Sequence, residues 1–166
     1  PEAGGSQDRP LSEVLDGAER ALDTLREPRS AGQVALLLAR TWSGLGDSAR
    51  VDQLLARAEP WVTSGFGAQS PERFELELLR ATELGKRGEL DAALADFDGL
   101  LRDMRTAGFD PGLQADRVRI AQAQVMQAKG EAEAAVKLLQ EVLARSGAAL
   151  EHESPDEYDG ARYNLA

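Results

Sequence analysis

The chain contains no cysteine and only one histidine, His152, among its 166 residues. Without thiols it can form neither a disulfide nor a thiolate metal site, and the redox compartment is left open. Aromatic residues make up only 5% of the chain. No apolar run approaches the roughly 18 residues that a membrane-spanning helix requires, so we expect no insertion into a membrane.

Basic residues are also in short supply, with 19 Lys and Arg against 29 Asp and Glu and a formal net charge of −10 at pH 7. Such a charge is poorly suited to the phosphate backbone of nucleic acid or to an anionic lipid surface. We therefore expect no nucleic-acid partner. The apolar share of 42% and the charged share of 29% are typical of a folded globular chain.

No combination of residues that is typical of catalysis occurs in the sequence. There is no Ser or Lys beside a candidate base, no HExxH pair and no glycine-rich phosphate loop. Helical spacing predicts that the carboxylates fall on solvent faces. We therefore predict no catalytic residue, no cofactor and no metal site, and we expect that the chain is not an enzyme.

The histidine lies in an acidic segment, Glu151-His152-Glu153, which we interpret as an exposed linker. A metal site is the alternative, but neighbouring side chains of an extended segment point in opposite directions and do not converge on one ion. The acidic run continues to Asp159. Its charge fits the first turn of a helix, and a docking patch for a basic segment is the alternative.

What the chain does contain is an internal repeat. Gly46, Gly88 and Gly130 are each followed by an acidic residue, and successive members lie 42 residues apart. Each glycine ends one amphipathic pattern and precedes another, as a helix-terminating glycine does. A fixed period in this range is typical of stacked helix pairs that share one core.

Prolines recur in the same rhythm and predict where the first helix of each pair begins. These prolines are Pro28, Pro71, Pro111 and Pro155. Ser70 and Asp110 are expected to cap helices, and Ser154 with Glu157 matches a capping box. Pro60 lies inside a helical pattern, so we expect a kink or an early end there.

These signals predict an all-α fold, a right-handed superhelix of antiparallel helix pairs with about seven to eight helices and no sheet. Residues 1–9 are expected to be a flexible terminus and residues 10–166 a single domain. The predicted parts of that domain are a helix at about 10–26, units at about 28–64, 70–107 and 111–146, and a truncated unit at 155–166. The last residues read as the middle of a helix, so we expect the chain to be a piece of a longer protein.

Small and bulky residues alternate where the two helices of each pair should cross. The three sets are Ala39, Val51 and Leu55, then Ala81, Ala93 and Phe97, then Ala123, Ala135 and Leu139. With Trp42 and the glycine turns, this pattern resembles the tetratricopeptide repeat over residues 28–166. The period is longer than the usual 34 or so of that family and is similar to that of the kinesin light chain subfamily. Arg80 and Gln122 depart from the pattern, because the family has Leu there.

A second resemblance concerns the start of the chain. Ser12-Glu13-Val14-Leu15-Asp16-Gly17-Ala18, followed by a helix ending near Trp42, is similar to the entry into repeat arrays that follow the catalytic domain of bacterial serine/threonine kinases. Related arrays occur in large bacterial transcription regulators. This resemblance implies a regulatory or sensory region. The compartment stays unknown, with the cytoplasm favoured and an extracytoplasmic location left open for a membrane-anchored kinase.

The family resemblance implies that the first helices line a concave groove that binds a peptide. The corresponding positions are Gln33, Leu36, Arg40 and Ser43, then Glu75, Leu78, Thr82 and Lys86, then Arg117, Ile120, Gln124 and Gln127. Leu36, Leu78 and Ile120 are expected to form an apolar strip with polar rims. The alternative is that these three residues pack between neighbouring first helices.

Taken together, the sequence leads us to expect a non-catalytic scaffold for protein–protein interaction, with a protein or peptide segment as its partner. The alternative is self-association, for example as a homodimer, through exposed terminal helices.

Overall fold

The computed structural model describes residues 11–153 and 155–164, which form eight helices and no strand. The prediction of an all-α fold is confirmed. The helices are α1 (Leu11–Leu22), α2 (Pro28–Leu45), α3 (Ser48–Phe66), α4 (Pro71–Lys86), α5 (Leu90–Thr106), α6 (Leu113–Lys129), α7 (Ala132–Glu153) and α8 (Pro155–Tyr163). We call α2, α4, α6 and α8 the first helices of successive pairs, and α3, α5 and α7 the second helices.

The chain divides into two compact units, Pro1–Gly65 and Phe66–Ala166. In the first unit, α1 packs against α2. Trp42 of α2 is buried, and its indole nitrogen donates a hydrogen bond to the carboxylate of Glu19 on α1. A buried indole with a satisfied N–H contributes a large apolar area at no polar cost.

In the second unit, every helix packs against the next one along the chain, from α4 to α8. The first helices also touch in succession, α4 with α6 and α6 with α8, whereas α5 and α7 do not meet within the described residues. This packing order is that of an α-solenoid. It produces one core cluster around Phe97 between α4, α5 and α6, and another around Leu139 between α6, α7 and α8.

The repeated glycines close their helices in the same way. Gly46, Gly88 and Gly130 have φ values of 81°, 82° and 91°, which only glycine adopts without strain. Each glycine N–H bonds the carbonyl three residues earlier, and the next N–H bonds the carbonyl five residues earlier. This is the Schellman motif, and it satisfies carbonyls that the helix end leaves without partners. Gly108 ends α5 with the same motif, which the sequence pattern did not reveal.

The small and bulky positions of the repeat are buried in all three pairs, as predicted. Ala39, Ala81 and Ala123 of the first helices are 0% exposed. The bulky residues opposite, Phe97 and Leu139 among them, are equally buried. A small side chain on one helix therefore lets the bulky residue of its partner fill the space between the two axes.

The expected early end of α3 at Pro60 is wrong, because the helix continues to Phe66. Pro60 itself is exposed, while Ala58 and Val62 on either side of it are fully buried. Burial on both sides of the proline offsets the one backbone hydrogen bond that it cannot make.

A capping residue followed by proline was predicted to begin both α4 and α6. The prediction is confirmed for Ser70 before α4 and is wrong for Asp110 before α6. Ser70 caps α4, and its Oγ accepts a hydrogen bond from the backbone N–H of Arg73 at 3.1 Å. Before α6, however, Gly112 is the capping residue, and it has no side chain to donate or accept. Asp110 binds Arg119 instead, so its carboxylate is not free to cap.

The interpretation of residues 151–153 as a linker is also wrong, because α7 continues to Glu153. Leu150 is fully buried in the cluster around Leu139 and holds the last turn of α7 against its neighbours. The predicted capping box depends on Ser154 and on the side chain of Glu157, which lie outside the described residues, as do the predicted terminus at 1–9 and the last two residues of the chain.

Candidate functional site

The first helices of the second unit form one side of the helix stack, which we call the inner side (α4, α6 and α8). On α6, Gln114 reaches towards α4 and donates a hydrogen bond through Nε2 to the backbone oxygen of Pro71 at 3.3 Å. Gln127 reaches the other way and donates through Nε2 to the backbone oxygen of Asn164, just after α8, at 3.0 Å. These two glutamines mark the opposite flanks of α6.

Arg117 and Gln124 lie between those two flanks, because each residue advances about 100° around a helix of 3.6 residues per turn. Gln124 is exposed and Arg117 is half-buried. On α4, the residues 42 positions earlier are Glu75 and Thr82, and both are half-buried. The Thr82 hydroxyl donates to the backbone oxygen of Leu78 at 2.8 Å. The predicted groove positions on α4 and α6 therefore lie on one side of the second unit.

Lys86 extends the same row on α4 and is exposed. Its ammonium group lies 2.8 Å from a carboxylate oxygen of Glu83, which is 0% exposed. The open part of the inner side is therefore polar and carries both signs of charge.

The apolar strip expected along the groove is not present as a surface. Leu36 is 2% exposed and Ile120 is 4% exposed. Ile120 belongs to the core cluster around Leu139, and Leu78 is half-buried against the cluster around Phe97. Leu36 and Ile120 are therefore interior residues and not part of an open groove, and Ile120 packs against α7 as well as α8.

In the first unit, the remaining predicted groove positions are divided between surface and interior. Gln33 and Arg40 are exposed on α2, whereas Ser43 is 8% exposed. The first unit therefore offers fewer open positions from the predicted set than the second.

A buried carboxylate on α6 is the centre of a charged network that the sequence did not predict. Asp116 on α6 is 0% exposed. It accepts hydrogen bonds from Arg119 at 3.0 Å and from Arg145 and the Ser146 hydroxyl of α7. A buried carboxylate is tolerated only when such partners replace its lost hydration. The expectation that the carboxylates fall on solvent faces is therefore wrong for Asp116, and for Glu83 as well.

Asp110, in the loop before α6, extends this network. Arg119 donates from one guanidinium nitrogen to both of its oxygens at 2.7 and 2.8 Å, and Arg105 of α5 adds a bond at 3.1 Å. Burial by itself raises the pKa of Asp110, but the two arginines outweigh burial and hold that pKa below its ordinary value. The Asp116 carboxylate in turn raises the pKa of Arg145.

The partners of Asp116 explain why sequence reasoning missed it. Arg145 and Ser146 lie about thirty residues further along the chain, on a different helix. A single acidic residue in the first turn of a helix looks like an ordinary favourable charge at the N-terminus. The network joins the loop before α6, which contains Asp110, to α6 and α7. Each of its charged groups is paired with an opposite charge of the same network. We therefore interpret it as a structural clamp.

In the first unit, an open groove of about 420 Å³ lies between α1 and α3. Arg50 binds Asp16 in it and stacks over the Trp42 ring with 4.1 Å to the ring centroid. Arg57 binds Asp23 at 2.7 Å. Because acids and bases alternate and bind one another along this groove, it presents no single charge to a ligand.

Within residues 11–153 and 155–164, no group of three or more His, Asp or Glu side chains is placed to hold a metal ion. No helix in the described part of the chain is long and apolar enough to cross a lipid bilayer. Comparison with protein-family models, with curated proteins and with solved structures finds no match to this chain.

Proposed function

We propose that this chain is a non-catalytic scaffold that binds a protein or peptide segment along the inner side of its second unit. The observation that carries the proposal is the succession of contacts from α4 to α6 to α8, with α5 and α7 apart. A stack that is tighter on the side of its first helices is concave on that side, and such a surface can follow an extended segment over several helices.

The inner side is proposed to recognise polar and charged groups of its partner. Most of its half-buried or exposed positions are polar, as Glu75, Thr82, Arg117 and Gln124 are, with Leu78 half-buried among them and Ile120 withdrawn into the core. Polar side chains on a rigid helix face can bond the backbone and side chains of an extended peptide, and their placement then gives specificity. An apolar anchor residue in the partner is not required by this proposal.

On the resemblances in the sequence, we assign this scaffold to the regulatory part of a larger bacterial signalling protein, such as a serine/threonine kinase. The proposal of a non-catalytic role is supported by the pairing of the buried acids. Asp110, Asp116 and Glu83 each have a basic partner, so none is an uncommitted acid or base beside an open cavity.

The experiment that tests the proposal is selection from a phage-displayed library of random peptides on the immobilised chain. The affinity of selected peptides is then measured by fluorescence anisotropy for the wild type and for an Arg117→Ala/Gln124→Ala double variant. We expect the double variant to bind at least about tenfold more weakly, a loss of about 1.4 kcal/mol.

A Glu133→Ala/Lys137→Ala double variant is the matched control, because both residues are exposed on α7, away from the inner side. This control is expected to bind like the wild type. Failure to select any peptide, or equal affinity for the inner-side variant, contradicts the proposal.

A further inference from the structure

Acidic side chains of α1 and basic side chains of α3 pair in register within the first unit. Arg50 donates to the carboxylate of Asp16, and Arg57 donates at 2.7 Å to that of Asp23, the residue after α1. The members of each pair lie 34 residues apart in the chain. Both pairs therefore repeat after the same interval on the two segments, which is about two helical turns. We call these two ion pairs the charge ladder between α1 and α3.

Glu19 lies between the two acidic residues of the ladder and connects α1 to α2. Its carboxylate accepts a hydrogen bond from the indole nitrogen of Trp42, which is 5% exposed. Arg50 lies over the same indole ring, 4.1 Å from the ring centroid, and 3.6 Å from a carboxylate oxygen of Glu19. The surface that α1 covers therefore offers an aromatic ring, an N–H donor and two guanidinium groups, and these suit an acidic helix.

Fewer buried residues hold α1 in place than hold α2 or α3. Leu15 and Leu22 are the buried residues of α1, whereas α3 buries five. A helix of twelve residues is marginal without extensive packing. The side chains of Asp16 and Asp23 are 39% and 78% exposed, so salt screens the ion pairs that add to this hold. Such an element can open locally while the rest of its unit stays folded.

The start of α2 does not depend on α1. Residues 23–27 connect the two helices and belong to neither. Glu27 caps α2, and its carboxylate accepts hydrogen bonds from the backbone N–H groups of Arg29 and Ser30 at 3.0 and 2.6 Å. These bonds satisfy the first turn of α2 from within its own segment. Helix α1 can therefore leave its place without unwinding the helix that follows it.

We propose that α1 is a replaceable helix, and that the surface it covers on α2 and α3 binds an acidic amphipathic helix of a partner protein in its place. The contacts of α1 define what the partner needs. Two apolar residues of the partner take the places of Leu15 and Leu22, which are buried. Acidic residues at the intervals of Asp16, Glu19 and Asp23 meet the two arginines and the indole N–H. An apolar face flanked by charges is a common way for a groove to recognise a helix.

As long as α1 is docked, it competes with the partner from within the same molecule. The apparent affinity for the partner is then reduced by the small fraction of molecules in which α1 is released. This surface belongs to the first unit, so the inference does not rest on the peptide binding proposed for the second unit.

A fluorescein-labelled synthetic peptide of residues 11–27 is the probe for this surface. Its binding is measured by fluorescence anisotropy to the whole chain and to a Leu15→Ala/Leu22→Ala variant, which we call the loosened variant because its own α1 has lost its buried leucines. The peptide keeps both leucines, so we expect it to bind the loosened variant at least about tenfold more tightly than the wild type. Equal or weaker binding overturns the proposal. So does a loosened variant whose circular dichroism shows that the whole chain has unfolded, because a replaceable helix is not needed for the fold.

Exchanging the charges tests the ladder itself. Arg50→Glu/Arg57→Glu in the loosened variant is expected to weaken binding of the peptide about tenfold or more, because both ion pairs become repulsive. A peptide with Asp16→Lys/Asp23→Lys should recover most of that loss on the exchanged chain. A loss that the exchanged peptide does not recover overturns the proposal.

The matched control is Asp52→Ala/Thr63→Ala in the loosened variant, because both residues are exposed on α3 and lie outside the ladder. This control should bind the peptide as the loosened variant does. Light scattering of the wild type identifies the source of the helix, and we expect the monomer mass of 17.8 kDa. A dimer that the peptide dissociates assigns the surface to α1 of a second copy and overturns the proposal of a different partner.

Hydrogen exchange of the wild type gives an independent test that needs no variant. We expect the amides of α1 to exchange faster than those of α2 and α3, and faster again when salt is added, because salt weakens the ladder. Amides of α1 that exchange as slowly as those of α2, or that do not respond to salt, overturn the proposal.

Discussion

Arg119 holds both carboxylate oxygens of Asp110, with one guanidinium nitrogen 2.7 and 2.8 Å from them. Its other terminal nitrogen bonds Asp116 at 3.0 Å. A single arginine thus ties the loop before α6 to the buried acid that also binds α7. Charge-assisted bonds of this kind fix geometry as well as adding energy, and here they fix the connection between two neighbouring helix pairs.

The free energy of unfolding is expected to fall as the pH drops below the ordinary pKa of aspartate, 3.8. The pKa of Asp110 is lowered by folding, so its contribution to stability is complete above that value and is lost as the pH falls through the lower folded-state pKa. Urea unfolding measured from neutral pH down through this range checks the prediction. In an Asp110→Asn variant the dependence on pH should be shallower, and an identical dependence in the two proteins contradicts it.

Asp116→Asn is expected to destabilise the chain by about 1–3 kcal/mol, because the amide replaces only part of the charge-assisted hydrogen bonding of the buried carboxylate. The neutral side chain leaves Arg145 without its carboxylate partner while Arg119 keeps Asp110. Asp91→Asn is the control, because the Asp91 carboxylate is 88% exposed beside Lys129. Its midpoint in chemical denaturation should hardly move, and equal losses in the two variants count against a clamp at Asp116.

Gly88→Ala and Gly44→Ala should change stability in opposite directions. At Gly88 the φ of 82° forces an alanine into the left-handed region, which costs about 1–2 kcal/mol. Gly44 lies inside α2 with no atom within 4 Å of an added Cβ, so alanine there should stabilise by about 0.5–1 kcal/mol. Thermal unfolding of the two variants measures both shifts. A loss of stability at Gly44 contradicts its place in the open interior of α2, and a gain at Gly88 contradicts the left-handed turn assigned there.

The sequence predicted the parts of the fold that depend on local geometry and on the repeat. Gly46, Gly88 and Gly130 mark helix ends because the turn that ends each helix needs a positive φ, which glycine adopts without strain. Ala81 and Phe97 are buried because their sizes match the spacing between two helices. Both kinds of signal depend on residues that lie close together in the sequence, and both recur with the period of the repeat.

What depends on distant partners could not be predicted in the same way. Asp116 is buried because Arg145 and Ser146 reach it from another helix, and no nearby residue signals this. The family resemblance put Ile120 on the groove side of α6, but a repeat pattern cannot tell a solvent-exposed position from one covered by the next helix pair. The helical end of α7 was missed because the burial of Leu150, which sets that end, is a tertiary contact.

The account depends most on the close side-by-side contact of first helices in the second unit, and an engineered disulfide tests it directly. A Cβ placed on Gly85 of α4 lies 3.9 Å from the Cβ of Val125 on α6, which is within the range that a disulfide spans. The chain has no cysteine of its own, so an introduced pair can form no other bridge within one molecule. Asp96 of α5 and Lys137 of α7 are exposed on helices that do not meet and provide the control pair.

The decisive measurement is the yield of intramolecular disulfide after mild oxidation of a Gly85→Cys/Val125→Cys variant, determined by mass spectrometry under conditions where the chain is monomeric. We predict that this pair closes nearly completely and that an Asp96→Cys/Lys137→Cys pair stays reduced. A Gly85–Val125 pair that stays open, or one that closes no better than the control pair, contradicts the stacking of first helices on which the account rests.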